Sequence, residues 1–363
     1  MNIGIIGAGK IGTTIATLLE SCEFCDAVVL GDVRSRPDLG GLRKSGAQRL
    51  DVKRRPALDA FVNRCDALVS AAPYYLNQAV AEACARARVA YFDLTEDVAT
   101  TAFIRQLARR ARGVTFMPQC GLAPGAVNIV GGSLAASLEM ARSVEMRVGA
   151  LPQFASNQMK YYLSWSTAGL INEYCQPGEA LHNGGRITTL PLDGVERLTI
   201  DGVEYEAFNT SGGVATMCET FAGRVGDLNY KTMRYPGHRD LMKFLLQDLN
   251  LGAQQELLTQ IFDQEVPLTE QDVVVFYVSA VGTVRRELVQ RSFVKKMHGE
   301  VVHGRRVSAI QLTTAAGIVA VLELFARGVL PKGFVKQESI TLDAFLQTQW
   351  GGRVYGPPPA VAG

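Results

Sequence analysis

Along the first third of the chain, short apolar runs alternate with stretches in which apolar residues return every three or four positions. "NIGII" (2–6) is an apolar strand, and "TTIATLLE", just after "GAGKIG", has helical periodicity. "AVVLGD", ending at Asp32, "QRLDV" (48–52), "CDALVSAAP" (65–73), "VAYFDLTED" (89–97) and "VTFMPQCG" (114–121) follow as strand segments, with helices expected over 77–88 and near 99–112. Strands alternating with helices of 10 to 15 residues predict an α/β fold built on a Rossmann-type, doubly wound parallel sheet over residues 1–128.

After about residue 128 this rhythm stops. Longer strand segments follow one another: "SVEMRVGAL" (143–151), "RITTLPL" (186–192), "ERLTIDG" (196–202), "DVVVFYVSAVG" (272–282) and "RELVQRSFVKKM" (286–297). They predict a second, α+β domain over 129–312, with a mostly antiparallel sheet covered on one face. Such a sheet leaves a face or an edge to cover, so a homo-oligomer, in the simplest case a dimer, is expected. The tail "GPPPAVAG" (356–363) is Pro-rich and expected to be disordered. One stretch, "LNYKTMRYPGHR" (228–239), repeats at neither helical nor strand spacing and crowds two aromatics, four basic residues counting His238, and a Pro-Gly turn together.

The chemistry starts at "GAGKIG". Gly7, Gly9 and Gly12 stand at the three positions of G-x-G-x-x-G between a strand and a helix, where the tight turn, the approach of a pyrophosphate and close helix packing each require a glycine. The helix start adds free N–H groups and the positive end of its dipole. Asp32 follows 20 residues after Gly12, where an acid accepts hydrogen bonds from the adenosine ribose. A carboxylate there repels a 2′-phosphate and favours NAD over NADP, although Arg34 and Arg36 just beyond can pair with such a phosphate. Ligands in these sheets sit at the carboxyl ends of the strands. The cofactor-facing set is therefore Gly7, Gly9, Lys10, Ile11, Gly12, Asp32, Val33, Arg34, Ala72, Pro73, Tyr74, Asp93 and Leu94. Tyr74 either meets the nicotinamide face or covers the sheet rim. Asp93 and Glu96 either receive a substrate ammonium or cap the following helix. Cys120 and Gly121 line the same end, with no neighbour in sequence to activate the thiol.

In the second half, "FNTSGGVATMCET" (208–220) reads as Thr210 and Ser211 capping a helix led in by Gly212 and Gly213, an anion-ready start. Lys231, Arg234 and His238 surround a second helix start after the turn Tyr235-Pro236-Gly237, and donors converging in this way suit a carboxylate. Trp165 lies in a polar run with Ser164, Ser166 and Thr167.

Composition narrows the classes. Hydrophobic residues make up 47% of the 363 and charged residues 20%, as in a folded globular protein, and the length suggests two domains. A net charge of +2 gives no concentrated basic face, so nucleic acid is not an expected partner. No apolar run is read as reaching the ~18 residues of a membrane span, and the start reads as a strand rather than a leader, so a cytoplasmic protein is expected. Seven scattered cysteines, Cys22 and Cys25 included, read as buried thiols rather than disulfides or a metal site.

Taken together, G-x-G-x-x-G, "QCGLAPGAVN", "WSTAGLINEY", "TSGG", "KTMRYPGH" and "GFVKQESI" resemble the saccharopine dehydrogenase family and, within it, the lysine 6-dehydrogenases. The resemblance runs from Met1 to about Tyr355. "RYPGH" and "CGLAPG" are its specific parts. It implies a Rossmann domain, an inserted catalytic domain, and a C-terminal segment (313–355) that completes the first domain. That segment would begin as one amphipathic helix over "TTAAGIVAVLELFARGVLP" (313–331), ending at Gly328 and Pro331. It implies NAD-dependent oxidative deamination of the ε-amino group of L-lysine to the 6-semialdehyde, which cyclises to 1-piperideine-6-carboxylate. Arg234 would anchor the α-carboxylate, assisted by His238 and the Ser211-Gly212-Gly213 turn, with Lys231 beside them. His238 or Asp93 would be the general base or a ligand of the substrate. Glu96, Cys120, Gly121 and Trp165 complete the substrate side. The alternatives are a saccharopine reductase or another reductase joining an amine to an aldehyde, and an NAD-binding sensor without turnover.

Overall fold

The structure, a computed structural model, describes residues 1–34, 37 and 39–357. Arg36 and the tail from residue 358 lie outside the described residues. The chain divides into two compact units. One comprises Met1–Ile129, Val301–Arg305 and Gln311–Gly363; the other comprises Val130–Glu300 and Arg306–Ile310.

The first unit opens with β1 (Asn2–Ile6), α1 (Lys10–Leu19), β2 (Ala27–Asp32), β3 (Ser45–Arg49), α2 (Arg55–Val62), β4 (Ala67–Ser70), α3 (Asn77–Ala87), β5 (Ala90–Asp93), α4 (Val98–Arg110) and β6 (Thr115–Met117). A two-residue strand, Gly333–Phe334, extends the sheet beyond β6, giving seven strands that pair in parallel, with β3, β2, β1, β4, β5 and β6 in spatial order. Parallel strands covered on both sides read as near-continuous apolar runs, and β4 and β5 are buried at every position. The Rossmann-type fold expected from the sequence is present. Strand ends differ: β5 stops at Asp93 and β6 at Met117, because the residues beyond turn out of the sheet into loops at its carboxyl edge. The strand expected at 48–52 pairs three residues earlier.

After α5 (Ala126–Ala136), the second unit holds β7 (Met140–Pro152), α6 (Thr167–Cys175), β8 (Gly178–His182), β9 (Gly185–Thr189), β10 (Glu196–Ile200), β11 (Val203–Asn209), α7 (Met217–Phe221), β12 (Val225–Arg234), α8 (His238–Lys243), α9 (Gln255–Glu265), β13 (Asp272–Val284) and β14 (Glu287–His298). The main sheet runs β10-β11-β12-β7-β13-β14, and β8 and β9 form a hairpin on β12. Every pairing is antiparallel except β12 with β7. The mostly antiparallel second sheet is as expected.

Three sequence readings need correction here. Residues 228–239 read as having no strand spacing, but 228–234 belong to the strand β12. Its polar residues find partners on both sheet faces, so the alternation is one of burial and not of hydrophobicity. The helix expected at 313–331 is α10 (Ala309–Ala326), buried nearly all round rather than amphipathic. By length and composition α10 is apolar enough to cross a membrane, contrary to the sequence reading, but 78% of it is buried inside the fold. Asp272, at the start of β13, caps it by accepting from the N–H groups of Ala309 (2.6 Å) and Ile310 (2.9 Å).

Candidate active site

The nucleotide half lies in the first unit. Gly7 turns with φ +101°, and a Cβ on Gly12 would stand 1.8 Å from the Gly7 carbonyl oxygen, so α1 can pack on this loop only through glycine. Beside Gly9 the opposite holds: an added Cβ would meet nothing within 4 Å. That open space faces a helix start with unpaired N–H groups, which fits a pyrophosphate. Asp32 ends β2 with both oxygens oriented. Oδ2 accepts from the Ala8 N–H and Oδ1 from the Arg34 N–H, each at 2.8 Å. Each carboxylate oxygen keeps a second lone pair, as ribose hydroxyls require. The residues present therefore fit a dinucleotide. Val33 and Arg34 are exposed just beyond. Pro73 precedes a single helical turn (74–76) in which Tyr74 is 45% exposed, and Ala72 and Leu94 are partly buried. Lys10 and Ile11 open α1.

Asp93 ends β5. It is fully buried, with Oδ1 accepting from the N–H groups of Thr95 (3.0 Å) and Gln119 (2.9 Å), and Oδ2 from the Tyr91 hydroxyl (2.8 Å) and Asn77 Nδ2 (3.5 Å). Burial pushes its carboxyl up to about 6 despite these bonds. Its oxygens hold the loops after β5 and β6 together, which speaks against Asp93 as ammonium ligand or general base, and it does not cap α4. The cap of α4 is Asp97, which accepts from the Thr100 N–H at 2.6 Å. Glu96 is partly buried in the same loop, and burial raises its carboxyl. Cys120 is structural too. Its thiol donates to the Met117 carbonyl (3.0 Å), receives Gln337 Nε2 (3.1 Å), and is pushed far above the usual thiol range by burial. Gly121 is buried in a tight loop with Gly125, rather than lining an opening.

The second unit holds the other candidates. On β12, successive side chains point to opposite sheet faces. Lys231 shares one face with Asn229 and donates to Glu196 Oε2 at 2.6 Å, where Arg147, itself bonded to Asn229, also ends. Arg234 shares the other face with Thr232 and Tyr230. Lys231 is thus separated from Arg234 by the sheet, and the sequence reading that grouped them is corrected.

Arg234 is 2% exposed. One terminal nitrogen donates to the Met233 carbonyl (2.9 Å), the other approaches Glu173 Oε1 at 3.5 Å, and Nε has no hydrogen-bond partner among the described residues. The guanidinium lies over the rings of Tyr161 (5.1 Å) and Tyr174 (5.8 Å). His238 sits against the same two rings. Its Nδ1 faces the Met159 carbonyl at 2.9 Å, an acceptor, so Nδ1 must carry the proton; Nε2 then accepts from the Tyr174 hydroxyl at 3.2 Å. Burial first, then the charge of Arg234, lowers its pKa to about 3. His238 is a neutral link that positions Tyr174, and no lone pair remains for a general base.

Neither helix start serves as an anion site. Before α8, the Gly237 and Arg239 N–H groups are already taken by the buried carboxylate of Glu206, at 3.0 and 2.7 Å. Ser211, Gly212 and Gly213 form a turn, and α7 starts only at Met217 and runs five residues. Thr210 bonds Thr232 at 2.8 Å instead of capping, and Gly213 lies flat on Tyr230, where a Cβ would come 2.3 Å from the ring. Trp165 is partly buried against Gly169. Sequence reasoning missed Glu173, Tyr174, Tyr161 and Glu206. The one available signal was an acid inside the apolar run "GLINEY".

Comparison with known proteins bears on both units. Residues 3–117 match the saccharopine dehydrogenase NADP binding domain, and residues 121–350 match the saccharopine dehydrogenase C-terminal domain. The mitochondrial alpha-aminoadipic semialdehyde synthase of Bos taurus is 22% identical over 320 residues, 82% of this chain and 33% of its own length. That of Mus musculus is 30% identical over 140 residues, 36% of this chain and 15% of its own. The chain thus spans no more than 33% of the length of these relatives. Among solved structures, apo saccharopine dehydrogenase (L-Glu forming) from Saccharomyces cerevisiae aligns with a TM-score of 0.77 over 95% of each chain, at 14% identity, a likeness of fold.

Proposed function

The chain belongs to the saccharopine dehydrogenase family, and from that premise we propose that it is a nicotinamide-dinucleotide-dependent oxidoreductase acting on a carbon–nitrogen bond of an amino acid, with the ε-carbon of L-lysine as its site of oxidation. Hydrolysis then releases ammonia and leaves the 6-semialdehyde, which closes on its own α-amine to 1-piperideine-6-carboxylate. The observation that carries this reading is Arg234: a permanently charged guanidinium, buried among tyrosines, whose Nε has no partner among the described residues. A planar fork of donors suits a carboxylate. Anchoring that far end fixes where the ε-carbon lies, and positioning of this kind supplies much of an enzymatic rate.

The bound dinucleotide supplies the hydride acceptor. Gly9 and the start of α1 receive its phosphates, and Asp32 takes the ribose hydroxyls and favours NAD over NADP by repelling a 2′-phosphate. The ε-amine must be neutral when hydride leaves. Asp93 and His238 are committed to internal hydrogen bonds, and desolvation of the ammonium would lower its pKa.

A second reading, a reductase of the saccharopine type, has a specific support. The relative matching 82% of the chain is an alpha-aminoadipic semialdehyde synthase, and the aldehyde in that name is the one that oxidation at the lysine ε-carbon leaves. In the oxidative direction both readings leave this aldehyde and differ in the amine released with it; in the joining direction the second consumes it. Purified protein incubated with NAD⁺ or NADP⁺ and lysine, ornithine, cadaverine or saccharopine separates them by the rise of reduced-cofactor absorbance. Lysine with NAD⁺ is expected to respond. A response to saccharopine and not to lysine overturns the first reading in favour of the second.

A further inference from the structure

The amino-acid site proposed above has a second charged member. Glu173, on α6, holds Oε1 3.5 Å from Arg234 Nη2, and its side chain is 14% exposed. That distance is at the outer limit of a hydrogen bond, so guanidinium and carboxylate stand side by side rather than tightly joined. The Tyr161 and Tyr174 rings flank the guanidinium and keep water from it. An ion pair in such surroundings is neutral as a unit. A ligand group carrying one charge would leave a buried charge uncompensated, which is costly; a group carrying both signs on one carbon would not. The α-ammonium and α-carboxylate of an amino acid are such a group.

We infer that Glu173 and Arg234 together read the zwitterionic end of an α-amino acid, Arg234 taking the α-carboxylate through Nε and Glu173 taking the α-ammonium. A carboxylate offers about four acceptor positions, so Glu173 can receive an ammonium while keeping the partners it has. The inference rests on Arg234 as the carboxylate anchor and adds a condition: the α-ammonium is required as well. The site then selects α-amino acids over both plain carboxylic acids and amines of the same length.

The test is calorimetric titration of the full chain with three probes. L-norleucine has the α-amino-acid end without an ε-amine, hexanoate has the carboxylate alone, and pentylamine has the amine alone. Hydrogen bonds to charged groups make norleucine at least about tenfold tighter than either other probe in the unsubstituted protein. Glu173→Gln weakens norleucine by about 10- to 100-fold while changing hexanoate by less than about threefold. Hexanoate binding as tightly as norleucine, or both probes weakening alike in Glu173→Gln, overturns the inference. If Glu173→Gln does not fold, the comparison of probes on the unsubstituted protein still decides. The readout is separate from turnover. Norleucine selectivity without lysine oxidation sinks the activity proposed above and keeps this site, and lysine oxidation without norleucine selectivity does the reverse.

Discussion

Lys231 and Arg234 stand three positions apart on one strand, yet their neighbours differ, and so should the effects of removing them. Arg234→Ala is expected to lower kcat/KM for lysine by about 30- to 1,000-fold through loss of a charge-assisted contact, with dinucleotide affinity unchanged. Lys231→Ala, which breaks a partly exposed pair with Glu196, should change kcat/KM by less than about threefold. Equal losses in the two variants would contradict the separation by the sheet. Two buried titratable residues give opposite pH signatures. The pKa of His238 falls from 6.5 to about 3 on folding, so the unfolded chain binds the extra proton, and stability is lost as pH falls from 6.5 towards 3. The Asp93 carboxyl rises from 3.8 to about 6, so its contribution is present below 3.8 and is lost as pH rises through 6. Chemical denaturation between pH 4 and pH 7 should therefore show a weaker loss of stability on acidification for His238→Gln than for the natural sequence, and a stronger one for Asp93→Asn. An activity profile that loses a step near pH 6.5 in His238→Gln would instead return the histidine to the role of base.

At the scale of elements, what could be read in advance depended on how local the determining pattern is. The glycine loop and Asp32 follow from spacings within a single strand–helix–strand unit, and the structure places them as that unit requires. β12 was illegible because its polar residues meet partners far along the chain: Glu196 bonds Lys231, Thr210 bonds Thr232, and Glu173 stands beside Arg234. Reading 228–239 as turn and helix start put Lys231, Arg234 and His238 in one cluster, whereas strand alternation sends Lys231 to the opposite face. The anion site expected before α8 was a real feature of the backbone, but Glu206 fills it. Glu206→Ala would free two N–H groups in a buried place and should destabilise the protein by about 1–3 kcal/mol, read as a lower denaturation midpoint. An unchanged midpoint would show that Glu206 does not cap the turn.

At the scale of the whole chain, β14 closes one edge of the second sheet with 12 residues and no further strand beyond it among the described residues. Leu288 and Val294 on it are exposed. An edge of that length invites pairing or cover, and a homodimer through the second unit is the expected outcome. Light scattering at micromolar concentration should give twice the 39.3 kDa chain mass, and a monomer there would refute it. The cofactor choice also belongs to this scale, since it decides which redox pool the enzyme uses. NAD should be preferred over NADP by at least about tenfold, ~1.4 kcal/mol, and Asp32→Ala should narrow the gap. Better use of NADP by the natural sequence would assign the phosphate to Arg34 or its neighbours.

The first unit is made of pieces far apart in the chain, and this sets a timetable for its synthesis. Its sheet is encoded almost entirely before residue 118, but Phe92 packs on Phe325 of α10, Gly121 lies against Gly317, and Trp350 donates to the Leu18 carbonyl. About 180 residues separate Ile129 from Gln311, which at 5–20 residues per second means a delay of about 10–40 s on the ribosome. During that interval the sheet has six of its seven strands but not the helix that covers it. The surface later buried by α10 is exposed while the second unit emerges, so the nascent chain is most open to proteolysis and to chaperones before its longest helix is made. The same helix, apolar on average along its whole length, is the one that ends the exposure.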